Sequence, residues 1–135
     1  MAGYSGTPLV KKLGLREKTT FAVFNSPVDY EKLIGKLPRD IKKMNRLGRN
    51  VDFIHYFTKS ASELKKEFPR FHKALAQNGM LWISWPKKSS GVETDLTEDR
   101  IREVGLACGL VDVKVCAVDE TWSGLKFVYR LKDRV

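Results

Sequence analysis

Thr7, Asn25, Ser26, Thr58, Lys59, Trp85, Lys87, Lys88, Ser89, Glu120 and Trp122 have the types and the placement to surround an anion. Hydroxyls, an amide and three ammonium groups near a helix start suit phosphate or carboxylate, which they meet with charge-assisted hydrogen bonds. Ordinary helix caps and loop ends have the same composition, so the set marks a place for a ligand and not a reaction. The chain offers nothing sharper. It has no GxSxG, no P-loop and no nucleophile beside a base. Asp119 and Glu120 are adjacent, so in a strand they point to opposite faces and cannot share acid–base work. Asp52 opens a buried strand and reads as a cap or a paired group. His55 and His72 lack a second ligand at helical or hairpin spacing and read as core or boundary histidines. No metal, cofactor or catalytic residue is assigned, and the chain reads as a binding module rather than an enzyme.

A second candidate is electrostatic. The 135 residues hold 25 Lys and Arg against 16 Asp and Glu, a net charge of +9. Lys36, Arg39, Lys42, Lys43, Arg46 and Arg49, opposed only by Asp40, put +5 into residues 36–49. Residues 11–18 and 59–73 add +3 each, whereas the chain from Lys87 onward is close to neutral. Such a field attracts nucleic acid, phosphorylated ligands or acidic proteins. Base-stacking aromatics are not interleaved with it, and a solvated surface has the same look.

The elements that must position these groups alternate. Thr7 caps and Pro8 opens a short helix that Gly14 closes. Thr19–Asn25 is a first strand ending at Ser26-Pro27, and residues 29–37 form a helix stopped by Pro38. The basic stretch 38–50 lacks periodicity and reads as loop with a turn of helix. Val51–Phe57 is a second strand. From Ser60 to Gln77 the pattern is helical: Ser60 and Glu63 match a capping box, and Leu64, Phe68, Phe71 and Leu75 share a stripe. Pro69 should kink or restart that helix. Asn78-Gly79 then makes a left-handed turn into a buried strand, Met80–Trp85, which stops at Pro86-Lys87-Lys88. A loop over 86–96 leads to a helix from Thr97 to Cys108, with Glu98 and Asp99 in its first turn. Leu110–Val118 and Trp122–Arg130 follow as an antiparallel hairpin.

This order specifies a single Rossmann-like, three-layer α/β domain. Its sheet should be five-stranded and mostly parallel, in order 1-2-3-5-4, with an antiparallel C-terminal strand. In such a sheet ligands bind outside the carboxyl ends of the strands, where the anion-binding set gathers. Strand 1 would be an apolar edge, covered by the basic segment 38–50 or by a homodimer paired through 19–25. Trp82 serves the core, Trp85 the rim of the site, and Trp122 either. No stretch reaches the roughly 18 apolar residues of a membrane span. The first residues lack the apolar core of a secretory signal, and Cys108 and Cys116 read as a reduced, buried structural pair, so the expected location is cytoplasmic.

The run Leu75-Ala-Gln-Asn-Gly-Met-Leu-Trp-Ile-Ser84 and the elements after it resemble the C-terminal half of class I methyltransferases. There a helix end and glycine turn precede the fifth strand, and a reversed strand inserts beside it. The phrases Gly3-Tyr-Ser-Gly-Thr-Pro-Leu9, Trp85-Pro-Lys-Lys88, Thr94-Asp-Leu-Thr-Glu-Asp99 and Val115-Cys-Ala-Val-Asp-Glu-Thr-Trp-Ser-Gly-Leu-Lys126 resemble a family of small bacterial proteins of unknown function, over nearly the whole chain. What these resemblances imply is a methyltransferase-like fold without an assigned activity. The family's S-adenosylmethionine site, a Gly-rich turn after the first strand and an acid after the second, is missing. Asn25-Ser-Pro-Val-Asp-Tyr30 follows strand one without a glycine. About 25 residues separate the strands at 19–25 and 51–57, enough for one helix and a loop, so the strands that would carry the acid are expected to have been deleted. The leading functional expectation is an anionic small molecule or nucleotide at the carboxyl edge. The alternatives are nucleic-acid or acidic-protein binding through 36–49, and a minimal transferase with unconventional cofactor binding.

Overall fold

A computed structural model describes residues 8–134, so Thr7 lies outside the described residues. The chain forms α1 (Leu9–Leu13), β1 (Thr20–Phe24), α2 (Tyr30–Ile34), β2 (Lys42–Lys43), β3 (Val51–Phe57), α3 (Ala61–Ala74), β4 (Leu75–Pro86), α4 (Glu98–Ala107), β5 (Leu110–Ala117) and β6 (Trp122–Tyr129), with short 3-10 turns at Lys88–Ser90 and Leu131–Asp133. Alternating side chains explain the layers. Phe53 and Phe57 of β3 pack with Leu13, Tyr30 and Ile34 under α1 and α2, while Ile54 and Tyr56 pack with Leu64, Phe68 and Ile101 under α3 and α4. The result is an α/β sandwich with helices on both faces.

The sheet corrects the expected five strands in order 1-2-3-5-4. It has six, in order β2-β1-β3-β4-β6-β5, and β6 alone runs against its neighbours. The added strand is Lys42–Lys43, inside the segment read as loop with a turn of helix. It pairs parallel to Thr20 and Phe21 through Lys42 N–H to Thr19 O (2.9 Å) and Met44 N–H to Phe21 O (2.7 Å). β1 is therefore not the sheet edge, and a dimer paired through 19–25 loses the free edge on which it rested. The other edge is β5, where a register shift between Asp112 and Lys114 and the charge of Lys114 blunt the exposed strand.

The helix–strand junction before β4 also moves. α3 ends at Ala74, and Leu75 already pairs with Val51 of β3. The next partners are Phe53 and Met80, so residues 76–79 bulge out of the ladder. Asn78 and Gly79 belong to this bulge, not to a left-handed helix end. Gly79 is needed there because a Cβ would lie 2.9 Å from Asp52 O and 3.0 Å from Val51 O. α3 continues through Pro69 without a restart, and the carbonyl released by the missing N–H belongs to Lys65, on the exposed side of the helix. α1 starts at Leu9 with Pro8 before it, and Gly14 ends it at φ 81°, as expected.

α4 is tied down through its N-terminal half. Thr97 caps it through Arg100 N–H (3.2 Å), and Arg102 links Glu98 and Asp99 of the helix to Asp112 of β5. Gly105 is buried against the face of Phe127, itself set edge-on to Phe68 at 5.4 Å. A methyl group at Gly105 would overlap the Phe127 ring. Gly105→Ala gains about 1 kcal/mol of helix propensity, but overpacking a fully buried ring costs about 1–3 kcal/mol. The substitution is expected to lower unfolding free energy by about 1 kcal/mol in urea titrations. A raised denaturation midpoint would show that the ring moves aside freely.

Candidate functional site

The carboxyl edge is where the sequence places a ligand, and its polar groups are mostly taken. Asn25 ends β1 in the left-handed region at φ 61°, with its Nδ2 directed to Glu63 Oε1 (3.4 Å). Ser26 Oγ donates to Val28 O. Thr58 is buried, and its Oγ1 accepts from Ser60 N–H at 3.2 Å. Ser60 caps α3 through Glu63 N–H, while Asp95 accepts from Ala61 N–H at 2.8 Å. The start of α3 thus already holds a carboxylate of its own chain. The Glu63 side chain does not reach back to Ser60 as a full capping box requires; it accepts from Tyr56 O–H at 2.6 Å.

Trp85 is no rim residue. It is 6% exposed and points into the α3–α4 side of the core. Trp122 is half-buried and meets Phe57 edge-on at 5.4 Å. Lys87 N–H bonds Thr121 O, Lys88 and Ser89 lie in an exposed turn, and Glu120 is exposed. Asp119 accepts from Thr121 and Trp122 N–H, which makes it the turn residue of the β5–β6 hairpin. Lys59, Lys87 and Lys88 have no ion pair among the described residues. The open hollow beside Lys59, about 510 Å³, is walled by Glu93 and Asp95, so its charge is mixed.

Below this edge lies a buried chain that the sequence did not announce. His55 Nδ1 meets Tyr30 Oη at 2.7 Å and Nε2 meets Ser84 Oγ at 2.6 Å. His55 is 0% exposed, and its ring stacks on Phe57 at 4.2 Å. Burial pushes the imidazole down to about 3 and the Tyr30 phenol above its ordinary value. A neutral ring with one donor and one acceptor nitrogen satisfies both hydroxyls, so this is a core histidine, sealed from any substrate. His72 is half-buried against Tyr129 (5.2 Å). Asp52 accepts from Thr20 N–H and Oγ1 as a paired strand residue. Cys116 is buried but Cys108 is only half so, and both are free. Among the described residues no group of three His, Cys, Asp or Glu could hold a metal.

The basic stretch behaves differently. Lys36, Arg39, Lys42, Lys43, Arg46 and Arg49 are all exposed. Only Arg39 has an ion pair among the described residues, a 3.9 Å contact with Glu17. The fold brings two further cations to them that were not anticipated. Arg49 lines a hollow of about 340 Å³ with Arg70 and Lys73 from the last turns of α3. Arg70 is bonded to Glu67 and lies over the rings of Phe24 (5.2 Å) and Phe71 (5.0 Å). Their signal was the +3 of residues 59–73, which sequence alone could not join to the edge.

With this geometry the chain can be compared with known proteins. No protein-family model matches it, and no curated protein matches it. Solved structures do. An Aquifex aeolicus SAM-dependent methyltransferase superposes with a TM-score of 0.62 at 15% identity, over 87% of this chain and 86% of that one. Magnesium protoporphyrin IX methyltransferase from Synechocystis, with SAH bound, gives 0.57 at 11%, over 90% and 78%. A Methanococcus jannaschii fibrillarin, a pre-rRNA processing protein, gives 0.57 at 11%, over 85% and 68%. The fold is that of the methyltransferases. The cofactor's usual cradle does not fit. The loop after β1 has no glycine, Pro27 brings no N–H, and Ser26 is bonded within the loop. Contrary to the expected deletion, a short strand, β2, does lie beside β1, but Met44, Asn45 and Arg46 follow it and none is acidic. Among the described residues no helix is long and apolar enough to cross a membrane.

The buried histidine makes stability depend on pH. Its folded value, about 3, lies below the ordinary 6.5, so the unfolded chain binds the proton more tightly. Stability is full above pH 6.5 and falls as pH drops toward 3, by about 1.4 kcal/mol per pH unit from this group. Urea titrations at pH 6.5 and 5 should show this slope, and His55→Gln should reduce it by one proton. An imidazole signal of His55 titrating near 6.5 in NMR spectra would contradict the assignment.

Proposed function

We propose that this chain is a non-methylating domain of methyltransferase fold that binds nucleic acid through its basic edge. The observation that carries the reading is the charge left without counter-ions: Lys36, Lys42, Lys43, Arg46 and Arg49 are exposed and have no ion pair among the described residues. Arg70 and Lys73 extend the same surface from α3. Lysine ammonium groups and arginine forks suit phosphate oxygens, and such contacts position a protein without reading bases. Arg70, set over the Phe24 and Phe71 rings, is a cation of the type on which bases stack. The fibrillarin among the structural relatives is a pre-rRNA processing protein, which is support by analogy alone.

The anionic ligand expected at the carboxyl edge ranks below this. Its hydroxyl and amide donors are engaged within the chain, and carboxylates of Glu93 and Asp95 share the hollow beside Lys59. The minimal transferase rests on the fold likeness, against a cofactor loop whose residues do not fit. Calorimetric titration with S-adenosylmethionine is expected to give no heat, and a saturable signal would revive that reading.

Fluorescence anisotropy with a labelled oligonucleotide tests the main reading. Five to seven phosphate contacts predict that log K falls with log salt at a slope between about −4 and −6. Reversing Lys42, Lys43 and Arg46 together to Glu should weaken binding at least about 100-fold in moderate salt. Affinity that is flat in salt, or unchanged by the triple reversal, would overturn the proposal. So would binding of polyglutamate with no binding of any oligonucleotide.

A further inference from the structure

Two lysines face each other inside the sheet. Lys114 of β5 is directly opposite Lys126 of β6, and Lys126 is opposite Trp82 of β4. Residues paired in this way share a face, here the face of α1, because Trp82 Nε1–H donates to Leu13 O at 2.8 Å. Like charges in register destabilise a ladder. Lys114 has its own explanation, since its ammonium donates to Lys12 O (2.9 Å) at the end of α1. Lys126 has none. It is half-buried, has no hydrogen-bond acceptor among the described residues, and its pKa is lowered by burial and by the charges of Lys114 and Arg16.

Among the described residues no carboxylate pairs with Lys114, Lys126 or Arg16. Asp112 of β5 is bound to Arg102 of α4, beneath the opposite face. Asp52, which lines a hollow with Arg16 and Lys18, is committed to Thr20. Residues 1–7 contain no acidic residue. A partly desolvated ammonium kept beside two like charges is a local conflict of the kind chains retain for function. The geometry points to a second, separate site, in which the paired Lys126 and Lys114 hold a phosphate dianion, free or as a monoester, on the α1 side of β5 and β6. The site does not rest on nucleic-acid binding by the basic edge, which lies at the other end of the sheet.

Thermal unfolding at constant ionic strength, with chloride exchanged for inorganic phosphate, tests this. The parent chain should gain about 4 °C when phosphate reaches about ten times its dissociation constant. Lys126→Met and Lys114→Gln should each start from a higher midpoint in chloride, because the repulsion is gone, and each should lose the phosphate increment. Lys126→Arg should keep it. A chain with Lys42, Lys43 and Arg46 changed to Gln should also keep it, which separates this site from the basic edge. Equal increments in the parent and in Lys126→Met would mean general salt stabilisation and overturn the site. Loss of the increment in the triple variant would do the same. In a parallel arm, a nucleoside monophosphate that raises the parent midpoint more than inorganic phosphate does identifies the ester as the preferred form.

Discussion

The hydrogen-bonded chain Tyr30–His55–Ser84 joins three elements that have no covalent reason to stay together: α2, β3 and β4. All of it lies inside the core, so each polar atom depends on the others, and losing one leaves a buried donor or acceptor unsatisfied. Tyr30 is the first residue of α2, only six positions after the end of β1. Fixing its side chain on His55 therefore fixes the loop 25–29 as well. Asn25 bends into the left-handed region, Ser26 closes on Val28, and the helix begins. In the methyltransferase fold this stretch would lie open for backbone to approach a cofactor. Here it is a short, tied connection, and the absent glycines and the buried tyrosine are two sides of one packing decision.

The sheet edge follows a different logic. β2 attaches to β1 through backbone hydrogen bonds alone, and its two side chains remain exposed. A strand that gives the core no side chain is free to carry any residue, and lysine there also discourages pairing with foreign strands. The same residues therefore protect the edge and charge it. Edge protection would be served by one or two lysines. It does not account for Arg46 and Arg49, which follow the strand, nor for the hollow that Arg49 shares with Arg70 and Lys73.

Much of the architecture was legible because local and tertiary signals agreed. Gly14 and Thr97 end or begin helices with the geometry their types favour, and the apolar stripe Leu64, Phe68, Phe71 is buried as its spacing implies. Where the reading failed, the chain had no local signal to give. Lys42–Lys43 has no strand propensity and exists only because β1 supplies a partner. Leu75 fits the helical stripe and the strand equally well, and pairing with Val51 decides between them. The place of Trp85 in the sequence suggests the rim, but strand alternation sends it to the α3–α4 side. At the site the difficulty was of another kind. Hydroxyls and amides that look available in a sequence are the ones a fold uses for its own caps and turns, and only coordinates reveal that they are taken.

Fold and site are therefore separable in this chain. The sheet order that places a cofactor in the methyltransferases is retained, with a reversed β6 between β4 and β5. The groups that would hold the cofactor are replaced by internal bonds or by cations. Surfaces that packing does not govern are free to vary without cost to the scaffold. Those surfaces are the two ends of the sheet, and unneutralised positive charge accumulates at both. At β2 it is exposed and costs little, since solvent screens it. At Lys126 it is partly buried beside like charge, where screening is weaker, so that cation is the harder of the two for a purely structural account to explain.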